Sequence, residues 1–154
     1  MELLFEQEYP KYEKSLFLLA VAYLHNTEDA RDVVQEAALA AWRNLHTLRQ
    51  PEYFKTWLTR IVINRCKSFL RSRRETVELS DELGVFASLP HYDLEIMDAV
   101  CRLEPNASVY IALRFYHDMT YEEAAAALHQ NVSTVKYRTK RALEELKTLL
   151  EGDV

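Results

Sequence analysis

Turn-forming residues are scarce in this sequence, and that scarcity constrains the fold more than any other feature. The 154 residues include only two glycines and four prolines. Sheets need frequent turns rich in glycine, proline, asparagine and aspartate, whereas helices need far fewer of them. Hydrophobic residues make up 49% of the chain and charged residues 28%, which is typical of a soluble globular protein. We therefore predict an all-α fold, with a length that allows one domain or two small ones.

The N-terminal part of the chain has the hydrophobic spacing of three helices. We predict them over residues 10–24, from an N-cap at Thr27 to about residue 45, and over 53–72. The second helix should bury Ala30, Val33, Val34, Ala37, Ala41 and Leu45, and expose Asp32, Gln35, Glu36, Leu39 and Arg43. The third should bury Phe54, Leu58, Ile61, Val62 and Phe69, and expose Arg60, Asn64, Lys67, Arg71 and Arg74. An outer stripe that is basic suits a helix that contacts a polyanion such as DNA.

Charge is distributed unevenly along the chain, and this matters more than the formal net charge of −5. Residues 53–74 include no acidic side chain, and neither do residues 124–143, whereas residues 75–104 are strongly acidic. The acidic stretch 75–93 also contains Gly84 and Pro90 and has no sustained helical period. We predict that it is a linker between two small helical domains, residues 1–74 and 94–154. Local charge governs contact with DNA, so the two basic segments are candidate DNA-binding surfaces.

The C-terminal part reads as four shorter helices that include a helix-turn-helix. We predict helices over 94–103, 107–116, 121–128 and 132–150, with Thr120 and Glu123 forming a capping box. Residues 129–131 would be the turn, and Asn131 would cap the last helix. The N-terminal half of that helix should expose Ser133, Thr134, Lys136, Tyr137, Arg138, Lys140 and Arg141. In this motif such residues contact base edges in the major groove and the neighbouring phosphates.

Three stretches resemble the extracytoplasmic-function family of alternative RNA polymerase sigma factors. They are NTEDARDVVQEAALAAWRNL and YFKTWLTRIVINRCKSFLRSRR, which are similar to the family's second conserved region, and MTYEEAAAALHQNVSTVKYRTKRALEEL, which is similar to its fourth. The resemblance implies a factor that binds core RNA polymerase and directs it to promoter DNA. It also implies an inhibitory anti-sigma factor as a partner.

The resemblance assigns a role to each exposed stripe. Core polymerase would bind Asp32, Gln35, Glu36 and Leu39, and the minus-ten promoter element would bind Arg60, Asn64, Lys67 and Arg71. The minus-thirty-five element would bind the predicted exposed residues of the last helix, which are Ser133, Thr134, Lys136, Tyr137, Arg138, Lys140 and Arg141. Tyr53, Phe54 and Trp57, at the start of the third predicted helix, are interpreted as core residues rather than as a platform for stacked bases.

The sequence departs from the family pattern at a few positions. His129 stands in the turn where a glycine is usual, so a left-handed residue there would be strained. Gln130 replaces an apolar residue, which we expect to loosen the packing between the two helices of the motif. Ser68 stands where an aspartate is common.

Other readings of the sequence make different predictions. No catalytic motif or metal-ligand spacing is evident, and we expect no enzymatic activity, no metal and no cofactor. Cys66 and Cys101 are interpreted as reduced thiols in the cytoplasm, because residues 1–9 lack the features of a signal peptide and no apolar run could span a membrane. A conventional regulator would use only the helix-turn-helix and would not need the basic third helix. A purely protein-binding adaptor would have no salt-dependent affinity for nucleic acid.

Overall fold

A computed structural model describes the backbone of residues 1–74 and 94–152, and every regular element in these two ranges is helical. The helices of the N-terminal domain are α1 (Glu2–Leu24), α2 (Thr27–Arg43) and α3 (Phe54–Arg74), with short 3-10 turns at Leu45–Thr47 and Pro51–Tyr53. Those of the C-terminal domain are α4 (Leu94–Arg102), α5 (Pro105–Ile111), a π-helical turn (Ala112–Tyr116), α6 (Tyr121–Leu128) and α7 (Val132–Gly152). The predicted all-α class is confirmed. The linker predicted over 75–93 lies outside the described residues.

Helix α1 begins at Glu2, so the prediction that it begins near Pro10 is wrong. A proline inside a helix removes one backbone hydrogen bond and costs about 3 kcal/mol. Aromatic packing offsets that cost: Phe5 stacks on Tyr9 with ring centroids 5.2 Å apart, and its edge meets Trp42 of α2 at 5.3 Å. The first turns of α1 are therefore held by tertiary contacts that helix propensity does not reveal.

The buried and exposed faces of α2 and α3 follow the predicted periodicity. On α2 the predicted apolar face is fully buried, and the opposite face is exposed. The N-cap is Asn26 rather than Thr27: the Asn26 Oδ1 accepts from the amide of Asp29 at 2.9 Å, and Thr27 is the first helical residue. On α3, Phe54, Leu58 and Val62 are buried as predicted, but Ile61 and Phe69 are only half-buried, so the prediction is wrong for these two. Ile63 and Cys66 complete the buried face instead.

The C-terminal helices have the predicted order and nearly the predicted ends. Helix α6 begins with the predicted capping box: the Thr120 hydroxyl accepts from the Glu123 amide at 3.1 Å, and the Glu123 carboxylate accepts from the Thr120 amide at 3.0 Å. Its C-cap is His129, whose φ of 56° and ψ of 43° are left-handed. Helix α7 buries Val135, Thr139, Ala142 and Leu146.

The two domains are docked against each other. One apolar core runs through both of them, because α1 packs against α5 and the π-helical turn while α3 packs against α6. A buried hydrogen bond crosses the junction, from the Ser108 hydroxyl to the carbonyl of Ala22 at 3.0 Å. A second, smaller core lies between α4, α5 and α7. The arrangement places the outer face of α3 next to α6.

Candidate nucleic-acid and partner interfaces

The outer face of α2 is a polar stripe with an apolar residue at its C-terminal end. Asp32, Gln35, Glu36 and Leu39 are all exposed, with 56% of Leu39 accessible to solvent. Trp42, one turn further on, is 39% exposed. An exposed leucine and tryptophan beside two carboxylates form a surface suited to another protein, because the apolar side chains gain from burial and the carboxylates supply specificity.

The outer face of α3 is a basic stripe, and its N-terminal member differs from the others. Asn64, Lys67 and Arg71 are exposed, and Arg71 also donates to the Ser68 hydroxyl at 3.2 Å. Arg60 is half-buried instead, because its Nε donates to the carbonyl of Ala126 in α6 at 2.9 Å. The four predicted residues therefore share one helix face, but only three of them are exposed in the docked arrangement.

A cleft of about 650 Å³ lies between the N-terminal end of α3 and helix α6. The charged and aromatic side chains that line it from the N-terminal domain are Arg49, Glu52, Tyr53, Trp57 and Arg60, and Glu122, Glu123 and Ala126 line it from α6. It combines cations and aromatic rings, the two features with which proteins hold single-stranded nucleic acid. The carboxylates of α6 face the same space and would repel a phosphate backbone.

The prediction that Tyr53, Phe54 and Trp57 are all core residues is wrong for Tyr53. Phe54 is buried, but Tyr53 is 60% exposed, because it ends a 3-10 turn and points away from the core that Phe54 enters. Trp57 is half-buried and donates from its indole nitrogen to the Thr47 hydroxyl at 3.2 Å. Arg49 and Tyr53 were absent from the predicted site because neither belongs to the helical stripe of α3.

The N-terminal half of α7 presents the predicted set of polar residues to solvent. Thr134 is half-buried, while Ser133, Lys136, Tyr137, Arg138, Lys140 and Arg141 are exposed. Arg141 donates to the Tyr137 hydroxyl at 3.2 Å, and its guanidinium lies 6.0 Å from the centre of that ring. The pair holds two long side chains in a defined orientation on the surface of the helix.

Gln130, which we expected to loosen the helix-turn-helix, helps to orient Arg138 through the hydroxyl of Tyr110. Gln130 accepts a hydrogen bond from the Tyr110 hydroxyl at 2.7 Å, and that hydroxyl accepts from Arg138 at 3.0 Å. Tyr110 lies in α5 and is buried. Gln130 thus links α5 to the turn before α7, and fixing the Arg138 side chain reduces the entropy it loses on binding.

Outside these surfaces, the two cysteines are buried and form no disulfide. Burial raises the pKa of the Cys66 and Cys101 thiols to about 12, so both are inert while they remain covered. Among the side chains that the structure describes, no group of three or more His, Cys, Asp or Glu residues could hold a metal ion. No helix of these ranges is long and apolar enough to cross a bilayer.

Comparison with known proteins connects both basic helices to the same family. Residues 9–76 match the model of sigma-70 region 2, and residues 93–146 match that of sigma-70 region 4. The RNA polymerase sigma factor SigV of Bacillus subtilis is 33% identical over 143 residues, covering 90% of this chain and 86% of that protein. The extracytoplasmic-function RNA polymerase sigma-E factor of Escherichia coli K12 is 31% identical over 163 residues, covering 87% and 85%.

Solved structures match the arrangement of the whole chain as well. The sigma factor RpoE of Bartonella quintana, in complex with the anti-sigma factor NepR, superimposes with a TM-score of 0.83, covering 97% of this chain and 98% of that one at 27% identity. CnrH, in complex with the cytosolic domain of CnrY, gives a TM-score of 0.73 at 29% identity, covering 97% and 89%. The basic faces of α3 and α7 lie in the two matched regions. The chain therefore belongs to the sigma-70 family, in its extracytoplasmic-function group, and is a sigma factor that directs RNA polymerase to initiate transcription at promoters.

Proposed function

We propose that this sigma factor binds core RNA polymerase and the two promoter elements through three separate surfaces. The α2 stripe of Asp32, Gln35, Glu36 and Leu39 binds core RNA polymerase. The α3 stripe of Arg60, Asn64, Lys67 and Arg71 binds the minus-ten element, and the N-terminal half of α7 binds the minus-thirty-five element. The observation that carries this proposal is the exposure of an acid-free basic face in each of the two matched regions.

The chemistry of each surface suits its assigned target. A strand of melted promoter needs cations along its backbone and aromatic rings for unstacked bases, and Arg49, Tyr53 and Trp57 beside the N-terminal end of α3 supply both. Duplex DNA is read in the major groove by side chains near the N-terminus of a recognition helix, which is where Ser133, Lys136 and Arg138 lie on α7. Residues 1–74 thus form the polymerase and minus-ten domain, 75–93 the linker, and 94–154 the minus-thirty-five domain.

The catalytic step belongs to the polymerase and not to this chain. The sigma factor selects the start site and needs no cofactor for that task. We place it in the cytoplasm, where core polymerase and promoters are found. An anti-sigma factor is a further partner, a proposal supported by the likeness to RpoE with NepR and to CnrH with CnrY.

Run-off transcription with purified core polymerase across a promoter library tests these assignments. Adding the chain should produce discrete new start sites. The double variant Asp32→Ala with Glu36→Ala should raise the concentration needed for half-maximal transcription by about tenfold or more, because central interface residues dominate binding. The helical circular dichroism of the variant should match that of the wild type.

The matched control is Glu2→Ala with Glu6→Ala, which removes the same charge from exposed positions of α1. It should transcribe like the wild type, so a general effect of charge is separated from the loss of a contact. If the chain yields no new transcripts and does not co-purify with core polymerase, the assignment of these surfaces is wrong. A regulator that acts only through its helix-turn-helix would then explain the basic α7 better.

A further inference from the structure

A buried histidine joins the two domains at the point where they dock. His117 follows the π-helical turn of the C-terminal domain and is 2% exposed. Its Nδ1 lies 2.6 Å from the hydroxyl of Ser15 in α1, and its Nε2 lies 2.7 Å from the hydroxyl of Thr59 in α3. The edge of its ring meets Tyr12, with centroids 5.9 Å apart. We call the set Ser15, His117 and Thr59 the His117 bridge.

The hydrogen-bond partners assign the direction of each bond in the His117 bridge. The Thr59 hydroxyl lies 2.6 Å from the carbonyl of Lys55, to which it donates its only proton, so it must accept from Nε2–H of His117. A neutral imidazole then has an unprotonated Nδ1, which accepts from the Ser15 hydroxyl. The Ser15 hydroxyl then does not donate to its other possible acceptor, the carbonyl of Tyr12, which lies farther away at 3.1 Å. All the polar atoms of the bridge are therefore satisfied when the imidazole is neutral.

The contacts around the His117 bridge cover part of the proposed minus-ten surface. Lys55 Nζ donates to the carbonyl of Asp118 at 3.2 Å, and Arg60 Nε donates to the carbonyl of Ala126. Both cations lie on α3, on either side of Thr59. The carboxylates of Glu122 and Glu123 border the same cleft as Arg60, where the phosphates of a bound strand would lie. Docking thus withdraws one candidate DNA ligand and adds negative charge beside the others.

We propose that the His117 bridge is an autoinhibitory latch, which holds α6 over α3 and keeps the minus-ten strand off the N-terminal domain. This proposal rests on the proposed function of α3. Opening the domains would free Arg60 and remove the carboxylates of α6 from the cleft. The α2 stripe stays exposed in the docked state, so core polymerase can bind before the latch opens.

The thiol of Cys101 reports the opening directly. It is 6% exposed and lines a small gap between the domains, facing Leu18, Val21 and Ala22 of α1. Movement of α1 away from the C-terminal domain would therefore expose it to a maleimide. Mass spectrometry identifies which peptide is modified, so the reaction rate of Cys101 is measured separately from that of Cys66.

The test variant is Thr59→Val in the full chain, which keeps the shape of the side chain and removes its hydroxyl. The buried Nε2–H of His117 then loses its acceptor, and the reaction of Cys101 should become roughly 5- to 100-fold faster. Ser15→Ala should act in the same direction. The matched control is Thr148→Val, which removes a threonine hydroxyl with the same intrahelical bond, to Glu144 at 3.0 Å, on an exposed face away from the junction. It should leave the Cys101 rate unchanged.

The inhibitory role is tested with DNA. A single-stranded oligonucleotide that carries the minus-ten sequence of a promoter selected in the run-off experiment should bind Thr59→Val more tightly than the wild type. The gain should match the gain in Cys101 reactivity until the open state predominates, because apparent affinity scales with the fraction of competent molecules. Helical circular dichroism should be the same for both proteins, which excludes general unfolding.

Each negative result has its own meaning. If Thr59→Val and Ser15→Ala both leave Cys101 as slow as in the wild type, the bridge does not hold the domains together and the proposal is wrong. If Cys101 reacts faster while oligonucleotide binding stays the same, docking does not mask the minus-ten surface, and the latch is not inhibitory. If wild-type chain and core polymerase produce no promoter-specific transcripts, the proposed function fails, whereas the Cys101 rates still decide whether the bridge holds the domains.

Discussion

At the scale of the residue, the turn of the helix-turn-helix depends on one left-handed histidine. His129 has a φ of 56° and a ψ of 43°, in a region where a Cβ approaches the backbone too closely. The side chain is exposed, so no burial offsets this strain directly. The turn is held instead by the Tyr110–Gln130 hydrogen bond and by the buried side chains of Leu128 before it and Val135 after it.

Replacing His129 with glycine should therefore stabilise the protein. We expect His129→Gly to raise the free energy of unfolding by about 0.5–1 kcal/mol, since glycine adopts left-handed angles without a steric penalty. Urea unfolding followed by circular dichroism measures the change. Gln50→Gly is the control, because Gln50 is exposed and has an ordinary φ of −137°, where glycine should give no gain. A loss of stability in His129→Gly would contradict the assignment of strain.

The exposed stripes of the site were predictable from residue spacing, and the residues beneath them were not. Periodicity identifies the outward positions of α2 and α7 because the core fixes which way each helix faces. Periodicity does not reveal the role of Gln130, because its hydrogen-bond partner is the hydroxyl of Tyr110 in another helix, α5. Tyr53 was misjudged because an aromatic residue beside a buried phenylalanine resembles core in sequence, and only the 3-10 turn separates their directions. The binding roles of all these residues remain predictions.

At the scale of the element, α6 connects the recognition helix to the rest of the molecule. It is short, from Tyr121 to Leu128, and it packs against both α3 and α7. A helix of this length is not stable by itself, so its ends and its packing must hold it. Its N-terminal end is secured by two reciprocal hydrogen bonds between Thr120 and Glu123.

Removing the capping box should destabilise the whole chain measurably. Thr120→Ala leaves the Glu123 amide without its acceptor, and we expect the free energy of unfolding to fall by about 1 kcal/mol. Thr148→Ala, at an exposed interior position of α7, should leave stability unchanged or raise it slightly, because alanine favours a helix interior. The urea unfolding midpoints of Thr120→Ala and Thr148→Ala are compared. Equal midpoints would mean that the capping box contributes nothing to stability.

Helix ends were predictable where local chemistry sets them. The capping box gave the start of α6, since the side chains of Thr120 and Glu123 act on amides of the same turn. The start of α1 was missed because Pro10 is a local signal for a helix start, whereas Phe5 is held by the rings of Trp42 and Phe54, which lie far away in sequence. Local signals therefore predict an end only when no tertiary contact overrules them.

At the scale of the whole molecule, the docking of the domains should depend on pH. Desolvation by burial, with a smaller effect of the Lys55 ammonium, lowers the pKa of His117 from about 6.5 to about 3. Because the docked state binds this proton less readily than the open state, docking is fully favoured above pH 6.5 and weakens as the pH falls towards 3. Of the described groups that face the ring, the phenol of Tyr12 stays neutral throughout this range, because burial raises its pKa.

We expect Cys101 of the wild type to react faster as the pH is lowered from 6.5 to 5, relative to its rate in the unfolded chain at each pH. The gain should approach tenfold per pH unit at most, which is the limit for one proton. His117→Gln should lose this dependence, because it removes the group whose proton is linked to docking. Equal slopes in the two proteins would exclude His117 as the titrating group.

The docked arrangement itself could not be predicted from the sequence. Ser15, Thr59 and His117 come from three distant segments, and each is unremarkable among its neighbours in the chain. A histidine with no ligand spacing gave no reason to expect a contact between domains. The acidic stretch that separates the basic segments gave the number of domains, but it carried no information on how they pack.

Several of the docking hydrogen bonds end on main-chain carbonyls. Lys55 donates to Asp118, Arg60 to Ala126 and Ser108 to Ala22, and each acceptor is a backbone oxygen. Such an acceptor persists whatever side chain the residue carries, so mutational drift at these acceptor positions leaves the contact in place. A chimera that joins one domain to its counterpart from a relative would retain these bonds if the backbones coincide. The His117 bridge needs matching side chains from both parents, and it is therefore the first part of the junction that divergence or recombination would erase.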